Sequence, residues 1–320
     1  MSPFTNPITN PCANRARCFA PASVGNVAVG FDLLGFALEG VGDLISVERL
    51  DRPEVKITQV SGQATVPLDP RQNTATVGLL KLIEDLKLRH GFAVSIEKGI
   101  ALGSGMGGSA ASAVGAILAA NSLLENPLAK AQLLGYALAG EMAASGSAHL
   151  DNIAPCLFGG LMLAKSTPPY EVISLPVPET IRYVLVHPDL RLDTREARQV
   201  LRPQVSLPQY VEQAALLASF VAACFQADLA LMGRSLKDIL IEPQRAHLIP
   251  GFYEVQAAAF ANAALGCSIS GAGPSVFAWA SSQADAERIE RAMVQSFLKH
   301  GLTSDSWISG IRKKGAELLL

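Results

Sequence analysis

Apolar and polar residues alternate with period two at 17–20, 44–49 and 55–60, which predicts strands, the last of them stopped by the turn pair Ser61-Gly62. From 73 to 90 the apolar positions Val77, Leu80, Ile83, Leu86 and Leu88 predict an amphipathic helix with these residues near one face. A short strand at 94–97 runs toward a glycine-rich loop and an Ala-rich helix over 109–124. A further helix over 129–145 ends at the break Ser145-Gly146-Ser147. Strands are then expected at 161–164, 171–175 and 183–186, joined by Pro-rich connections, and helices at about 194–201, 208–240 and 251–264. Residues 267–270 and 275–280 read as a hairpin around Gly271-Ala272-Gly273-Pro274, before a helix at 283–300 and a strand at 306–311. Strands and helices mix without regular βα repeats, so the expected class is α+β rather than a doubly wound parallel sheet. Residues 1–16, rich in Pro and Asn, read as a flexible tail. The Pro-rich stretch 166–178 marks the expected boundary between domains at 17–165 and 166–320.

The loop is the chemically richest segment. Gly103, Ser104, Gly105, Met106, Gly107, Gly108, Ser109 and Ala110 lead directly into the Ala-rich helix. Glycine lets backbone approach a ligand closely, and a helix start offers unpaired N–H groups with the positive end of its dipole; together they make an anion cradle, most often for phosphate. The formal Gly103-x-Gly105-x-x-Gly108 match fails as a dinucleotide fingerprint. Glu97-Lys98-Gly99 interrupts the approaching strand, and Glu125-Asn126-Pro127 leads to a second helix instead of a strand ending in an acid. A Walker A loop fails too, because no Gly-Lys-Ser/Thr closes the segment.

Bulk composition narrows the setting. Hydrophobic residues make up 49% and charged residues 17%, with a formal charge of −2, so neither nucleic acid nor an anionic membrane is an expected partner. Lys98 and Arg312-Lys313-Lys314 read as solvated surface charge. Cysteines at 12, 18, 156, 224 and 267 form no metal or disulfide pattern, and no apolar h-region opens the chain, which points to reduced thiols in a cytoplasmic protein. Apolar stretches near 110–124 and 213–225 are interrupted by polar residues and too short to span a bilayer.

Two further segments accompany the loop: Ala20-Pro21-Ala22-Ser23-Val24-Gly25-Asn26, running on to Gly30-Phe31-Asp32, and Gly266-Cys267-Ser268-Ile269-Ser270-Gly271-Ala272-Gly273-Pro274-Ser275. In this order and at these separations, the three resemble the signature motifs of the GHMP small-molecule kinases over about residues 18–310. The resemblance implies an α+β GHMP kinase fold, with an amino-terminal domain like ribosomal protein S5 domain 2 and a ferredoxin-like carboxyl-terminal domain. Within the family, Glu141, the block His149-Leu150-Asp151-Asn152, Asp193-Thr194-Arg195-Glu196-Ala197-Arg198 and Glu242-Pro243-Gln244-Arg245 resemble the members that phosphorylate L-homoserine. Two departures stand out: Val24-Gly25-Asn26-Val27-Ala28-Val29 where the family has Ser-Ala-Asn-Leu-Gly-Pro, and Gly107-Gly108-Ser109 where it has Gly-Ser-Ser.

The resemblance implies ATP and Mg²⁺, with residues 103–110 on the nucleotide phosphates and Ser109 and Glu141 on the metal. It places Asn26 and Asp32 at substrate-binding positions, where they would accept from the ammonium group. Arg198 and Arg245 are the natural partners of the acceptor's carboxylate because the guanidinium fork binds both oxygens, and Thr194 lies one helical turn from Arg198. Arg191, Arg195 and Arg202 read as surface charge. Asn152, Asp32 and His149 are the candidate catalytic residues. Asn152 would orient the hydroxyl, His149 reads equally as substrate contact or structural residue, and Asp151 is a further conceivable base. A mevalonate-type kinase or a silent nucleotide-binding relative stay open as alternatives, and a homodimer is possible, as is common in the family.

Overall fold

The computed structural model describes residues 14–146 and 149–319; residues 1–13, with Cys12, and Ser147 of the expected helix break lie outside the described residues. The tail is shorter than expected. Arg15 and Ala16 already pair with Glu48 and Val47, within β1 (Arg15–Gly25) and β2 (Leu34–Leu50). β2 is a long strand whose first half was not expected. Its start pairs with β5 (Leu161–Lys165), and its end with β4 (Gly91–Lys98). β3 (Val55–Gly62) lies parallel to β4, and β6 (Glu171–Leu175) pairs with β5. The terminal strand β11 (Glu317–Leu319) returns to β1, completing a sheet with the path β11-β1-β2-β4-β3 and β5 and β6 beside it. This sheet takes β6 and β11 from beyond 165, so the two sheets do not part the chain at the Pro-rich stretch.

Helices α1 (Thr74–Leu86), α2 (Gly108–Ser122) and α4 (Ile153–Phe158) pack with the first sheet, and α3 (Lys130–Ser145) packs on these three helices. α1 buries Ala75, Leu79, Leu82 and Ile83, whereas Leu86 is exposed. Strict three-residue steps drift round a helix of 3.6 residues per turn, so the expected face was rotated. α2 is apolar all round and buried from Ala110 to Ser122. Small alanine side chains let it lie close to β1 and β2 on one side and α1 and α3 on the other.

The second sheet has the order β10-β7-β9-β8, from β7 (Arg182–Pro188), β8 (Gly266–Ile269), β9 (Val276–Ala280) and β10 (Ser304–Ser309). Between β7 and β8 run α5 (Thr194–Gln199), α6 (Leu207–Gln226), α7 (Leu229–Ser235), α8 (Glu242–Arg245) and α9 (Phe252–Ala261), and α10 (Gln283–Lys299) joins β9 to β10. Helices link β7 to β8 and β9 to β10, the β8–β9 hairpin joins the two halves, and β7 and β9 lie at the centre, which is the ferredoxin-like order. The helix expected over 208–240 is two. Ala227 takes a left-handed conformation at φ 54°, and the Asp228 carboxylate caps α7 by accepting from Leu231 N–H at 2.9 Å.

Period two divides the second sheet's faces. Val184, Val186, Val276 and Ala278 share a core with α9 and α10 residues such as Val255 and Ile289. Tyr183, Leu185, Phe277 and Trp279 face the first domain, where Phe36 lies 5.6–5.9 Å from the rings of Tyr183, Phe277 and Trp279. This shared core holds the two sheets together and sets the first and third motifs beside the glycine loop. Among the described residues, no helix is long and apolar enough to cross a membrane. The four described cysteines, Cys18, Cys156, Cys224 and Cys267, are buried free thiols.

Candidate active site

β4 delivers the chain into the loop, and α2 takes it away. Gly103, Gly105 and Gly107 have φ of 64°, 76° and 69°, a backbone conformation that side chains oppose. A Cβ at Gly105 would lie 2.4 Å from the Ser270 carbonyl oxygen and 2.7 Å from that of Gly273, and one at Gly107 would lie 2.2 Å from Ser23 Oγ. Gly107 is the N-cap of α2 and has no side chain to close it, so the first-turn N–H groups face a cavity of about 230 Å³. Ser109 lines this cavity. Ser104, Met106 and Ala110 are buried, and the Ser104 hydroxyl donates to Ala101 O at 2.8 Å, so at these positions the loop offers backbone rather than side chain. Arg191, expected on the open surface, also lines the cavity.

The third motif holds the loop from beneath. Ser270 Oγ donates to Gly105 O at 2.7 Å, and Ser275 Oγ donates to Ser104 O at 2.6 Å. Because that bond uses Ser275's single proton, the 3.1 Å contact with His187 Nδ1 has the imidazole as donor. The first motif closes the other side, with Ser23 N–H on Met106 O at 3.1 Å.

Lys98 departs most sharply from its expectation. It is buried, with the Asp43 carboxylate against its ammonium group. The strand pattern holds the missed signal: Phe92, Val94, Ile96 and Lys98 share one parity, and the first three are core residues.

A second, smaller cavity of about 50 Å³ adjoins the first and shares Glu141, Asn152, Thr194, Gly271 and Ala272 with it. Its remaining wall is Asn26, Asp32, His149, Asp151, Arg198 and Arg245, so the structure gathers the whole expected acceptor set. Asp32 Oδ1 accepts from Arg198 Nη2 at 2.7 Å, and its Oδ2 lies 3.3 Å from His149 Nδ1. Arg198 Nε and His149 Nε2 are buried and have no hydrogen-bond partner among the described residues. Arg245 donates through Nε to Ala197 O at 2.9 Å and through Nη1 to Gly271 O at 3.1 Å. Phe31 lies between the arginines' roles in a way the motif did not reveal: the guanidinium carbons of Arg198 and Arg245 stand 5.4 and 5.2 Å from its ring centre.

Asn26 is engaged on both sides of its amide. Its Nδ2 donates to Gly271 O at 2.7 Å, and its Oδ1 accepts from Asp32 N–H at 3.0 Å. It sits in a left-handed turn with Val27 and Ala28, at φ of 69°, 45° and 54°. Such a run costs about 1–2 kcal/mol per residue, and the Asn26 amide helps hold it. At the junction of the cavities, Asn152 accepts from Ser23 Oγ at 2.9 Å and donates to Asp151 Oδ2 at 3.2 Å, which fixes the orientation of its amide.

The charges respond to burial. Asp151 is pushed up to about 7 by burial, with the Asp32 and Glu141 carboxylates adding to the shift. Burial lowers His149, the Asp32 carboxylate opposing and the two arginines assisting. Arg245 falls to about 10 through burial and the neighbouring Arg198 charge, and so stays protonated at neutral pH. Among the described residues, no cluster of three or more His, Cys, Asp or Glu side chains could alone hold a metal ion. Glu141 and Ser109, expected on the metal, both line the larger cavity.

Comparison with known proteins places this geometry. Residues 73–160 match the GHMP kinases N terminal domain, and residues 220–300 match the GHMP kinases C terminal domain. A homoserine kinase of Xylella fastidiosa (strain 9a5c) is 49% identical over 312 residues, 97% of this chain and 96% of that relative. One of Chlorobium phaeobacteroides is 44% identical over 316 residues, 95% of this chain and 99% of its own. The crystal structure of homoserine kinase from Cytophaga hutchinsonii superposes with a TM-score of 0.93 at 40% identity, covering 98% of this chain and 100% of that one. The fold extends to more distant structures: L. major mevalonate kinase, in complex with R-mevalonate, has a TM-score of 0.69 at 14% identity, over 95% of this chain and 99% of that one. With a phosphate-type loop, a paired-arginine pocket beside it, and near-full-length identity of this order, the chain belongs to the GHMP kinase family, in its homoserine kinase branch.

Proposed function

We propose that the protein transfers the γ-phosphoryl group of ATP to the side-chain hydroxyl of L-homoserine, giving O-phospho-L-homoserine for threonine biosynthesis. One observation carries the choice of acceptor. Beside the phosphate cavity lies a pocket with two guanidinium groups, one of which keeps a buried Nε–H without a partner among the described residues. A buried donor in that state calls for an anionic ligand, and an α-carboxylate suits the fork. Asp32, and His149 through the Nε2 that faces away from it, supply acceptors for the α-ammonium group. Thr194 lines both cavities, where it can bond either substrate.

Phosphoryl transfer asks mainly for alignment and neutralisation of charge. The first-turn N–H groups of α2 and the backbone of 103–108 receive the phosphates. Ser109 and Glu141 line the same cavity and offer a hydroxyl and a carboxylate oxygen, a donor set that fits Mg²⁺ with phosphate and water completing the shell. When bound, Mg²⁺ would neutralise charge on the β- and γ-phosphates. Asn152, held by Ser23, orients the acceptor hydroxyl at the boundary between the cavities. No dedicated base is required, because a hydroxyl attacking through a loose transition state can give up its proton late, to the transferred phosphoryl oxygen. Asp151 donates no geometry to that step: its Oδ2 is held by Asn152 and Gly25 backs onto it.

The test is ADP release with homoserine, mevalonate, galactose and no acceptor. Strong stimulation by homoserine is expected. A blank across the panel would favour a silent nucleotide-binding relative, and stimulation by mevalonate alone would move the protein to the other branch.

A further inference from the structure

The antiparallel register of β2 and β4, which sets Leu44 opposite Glu97, brings Asp43 across from Lys98. Both point inward, continuing the parities of Ile45 and Val47 and of Val94 and Ile96. Their side chains are almost wholly shielded, at 0% and 1% exposure. Asp43 Oδ1 accepts from Gly99 N–H at 3.1 Å and Ile100 N–H at 3.3 Å, where the chain enters the phosphate loop. Lys98 Nζ donates to Gly108 O at 2.8 Å and to Ser112 Oγ at 3.0 Å, where the chain leaves it. Ser112 Oγ donates back to Asp43 Oδ2 at 2.9 Å, and the Lys98–Asp43 contact closes the circuit.

An ammonium group has three protons to donate, and Lys98 places all three on Asp43, Gly108 and Ser112. No donor is left for a phosphate, so Lys98 does not act as a phosphate-binding lysine. A buried ion pair is also a weak source of net stability, since apolar residues of similar volume often do as well. What this pair does that apolar residues cannot is hydrogen-bond the backbone at both ends of one loop.

We infer that Asp43, Lys98 and Ser112 form a clasp that fixes the span of the phosphate loop, and that they are positioning residues for ATP. The inference rests on the reading of residues 103–108 as the ATP cradle. Loss of the clasp would let the two ends separate and spoil the convergence of the N–H groups, while the arginine pocket, built from other elements, would be undisturbed.

The experiment measures MgATP affinity by calorimetry, steady-state kinetics for both substrates, and thermal midpoints, for wild type, Lys98→Met and Ser112→Ala. In Lys98→Met the dissociation constant for ATP should rise about tenfold or more, the loss of charge-assisted bonds to the loop. The homoserine KM should stay within about twofold. Ser112→Ala, which keeps the ion pair, should weaken ATP by roughly three- to fivefold with the same selectivity. A purely structural role would damage both substrates alike, so unchanged ATP affinity, or equal losses for ATP and homoserine, overturns the clasp. If Lys98→Met does not fold, Ser112→Ala decides the matter by the same criteria. A wild-type protein that binds no ATP would instead overturn the cradle reading itself.

Discussion

Replacing Arg198 by leucine isolates the proposed recognition of the acceptor carboxylate. Arg198 spends one nitrogen on Asp32, at 2.7 Å, and its buried Nε has no partner among the described residues. Arg245 is a poorer target, because its Nε and Nη1 bind the Ala197 and Gly271 carbonyls and its loss would disturb the scaffold as well. A hydrogen bond to a charged group is worth about 1.5–3 kcal/mol, and roughly 1.4 kcal/mol is a factor of ten. The kcat/KM for homoserine should therefore fall by about 10- to 150-fold in Arg198→Leu. The stability cost is smaller. The Arg198 and Asp32 side chains are 28% and 22% exposed, so their pairing is partly screened, and His149 remains beside the acid.

The assay is coupled ADP release over a range of homoserine concentrations, with MgATP affinity measured separately. ATP binding should stay within about twofold of wild type, since Arg198 lies outside the phosphate cavity. Arg198→Lys should fall between the two, keeping the charge while losing the planar fork. A folded Arg198→Leu enzyme with wild-type homoserine kinetics would refute the carboxylate model.

Glu141→Gln should cut turnover by about a hundredfold or more at millimolar Mg²⁺ and shift the metal dependence upward; normal rates over a Mg²⁺ titration would remove Glu141 from the metal. Gly107→Ala should abolish measurable ATP binding, because the new Cβ meets Ser23 Oγ at 2.2 Å on a backbone with φ of 69°. Gly108→Ser, which restores the usual family residue, should bind ATP nearly normally, as its Cβ meets nothing closer than Ile100 Cγ2 at 3.2 Å. Burial raises the Glu242 carboxyl from its ordinary 4.5 to about 7, so its contribution to stability is full below about 4.5 and lost as pH rises through about 7. Thermal melts between pH 5 and pH 8 should show a smaller drop in Glu242→Gln than in wild type.

The loop, the hairpin of the third motif and most helices were legible because local pattern determines them. The acceptor pocket was legible only by resemblance: Asp32 and Arg198 stand 166 residues apart, and no periodicity joins them. The Asp43–Lys98 pair was readable in principle. Its strand parity pointed inward, but a lone lysine outweighed the alternation around it. Phe31 and Ser23 carry no local signal of their roles, since one depends on where two distant guanidinium groups meet and the other on a contact with Asn152 across 129 residues. The return of β11 to β1 was hidden for the same reason, because a three-residue strand has no periodicity until its partner is known.

The two cavities differ in how they treat negative charge, and that difference bears on specificity. The phosphate end is lined by the glycine loop with Glu141, Arg191 and Asp193, while the acceptor end sets two arginines, Arg198 and Arg245, among the Asp32, Asp151 and shared Glu141 carboxyl groups. His149 is held toward its neutral form by burial, so it adds little positive charge near pH 7. An incoming carboxylate meets the Arg198 Nε, which no described residue engages. Galactose, which is uncharged, would leave that buried donor facing a hydroxyl, and sites built for a charged partner reject such analogues strongly. Mevalonate brings a carboxylate but no ammonium, so Asp32 and His149 Nε2 would gain no donor from it. The expected order of kcat/KM is therefore homoserine, then mevalonate, then galactose. Removing the ammonium acceptor with Asp32→Asn should narrow the gap between the first two, by lowering homoserine turnover more than mevalonate turnover. A gap that stays the same while both activities fall together would show that Asp32 supports the pocket without reading the ammonium group.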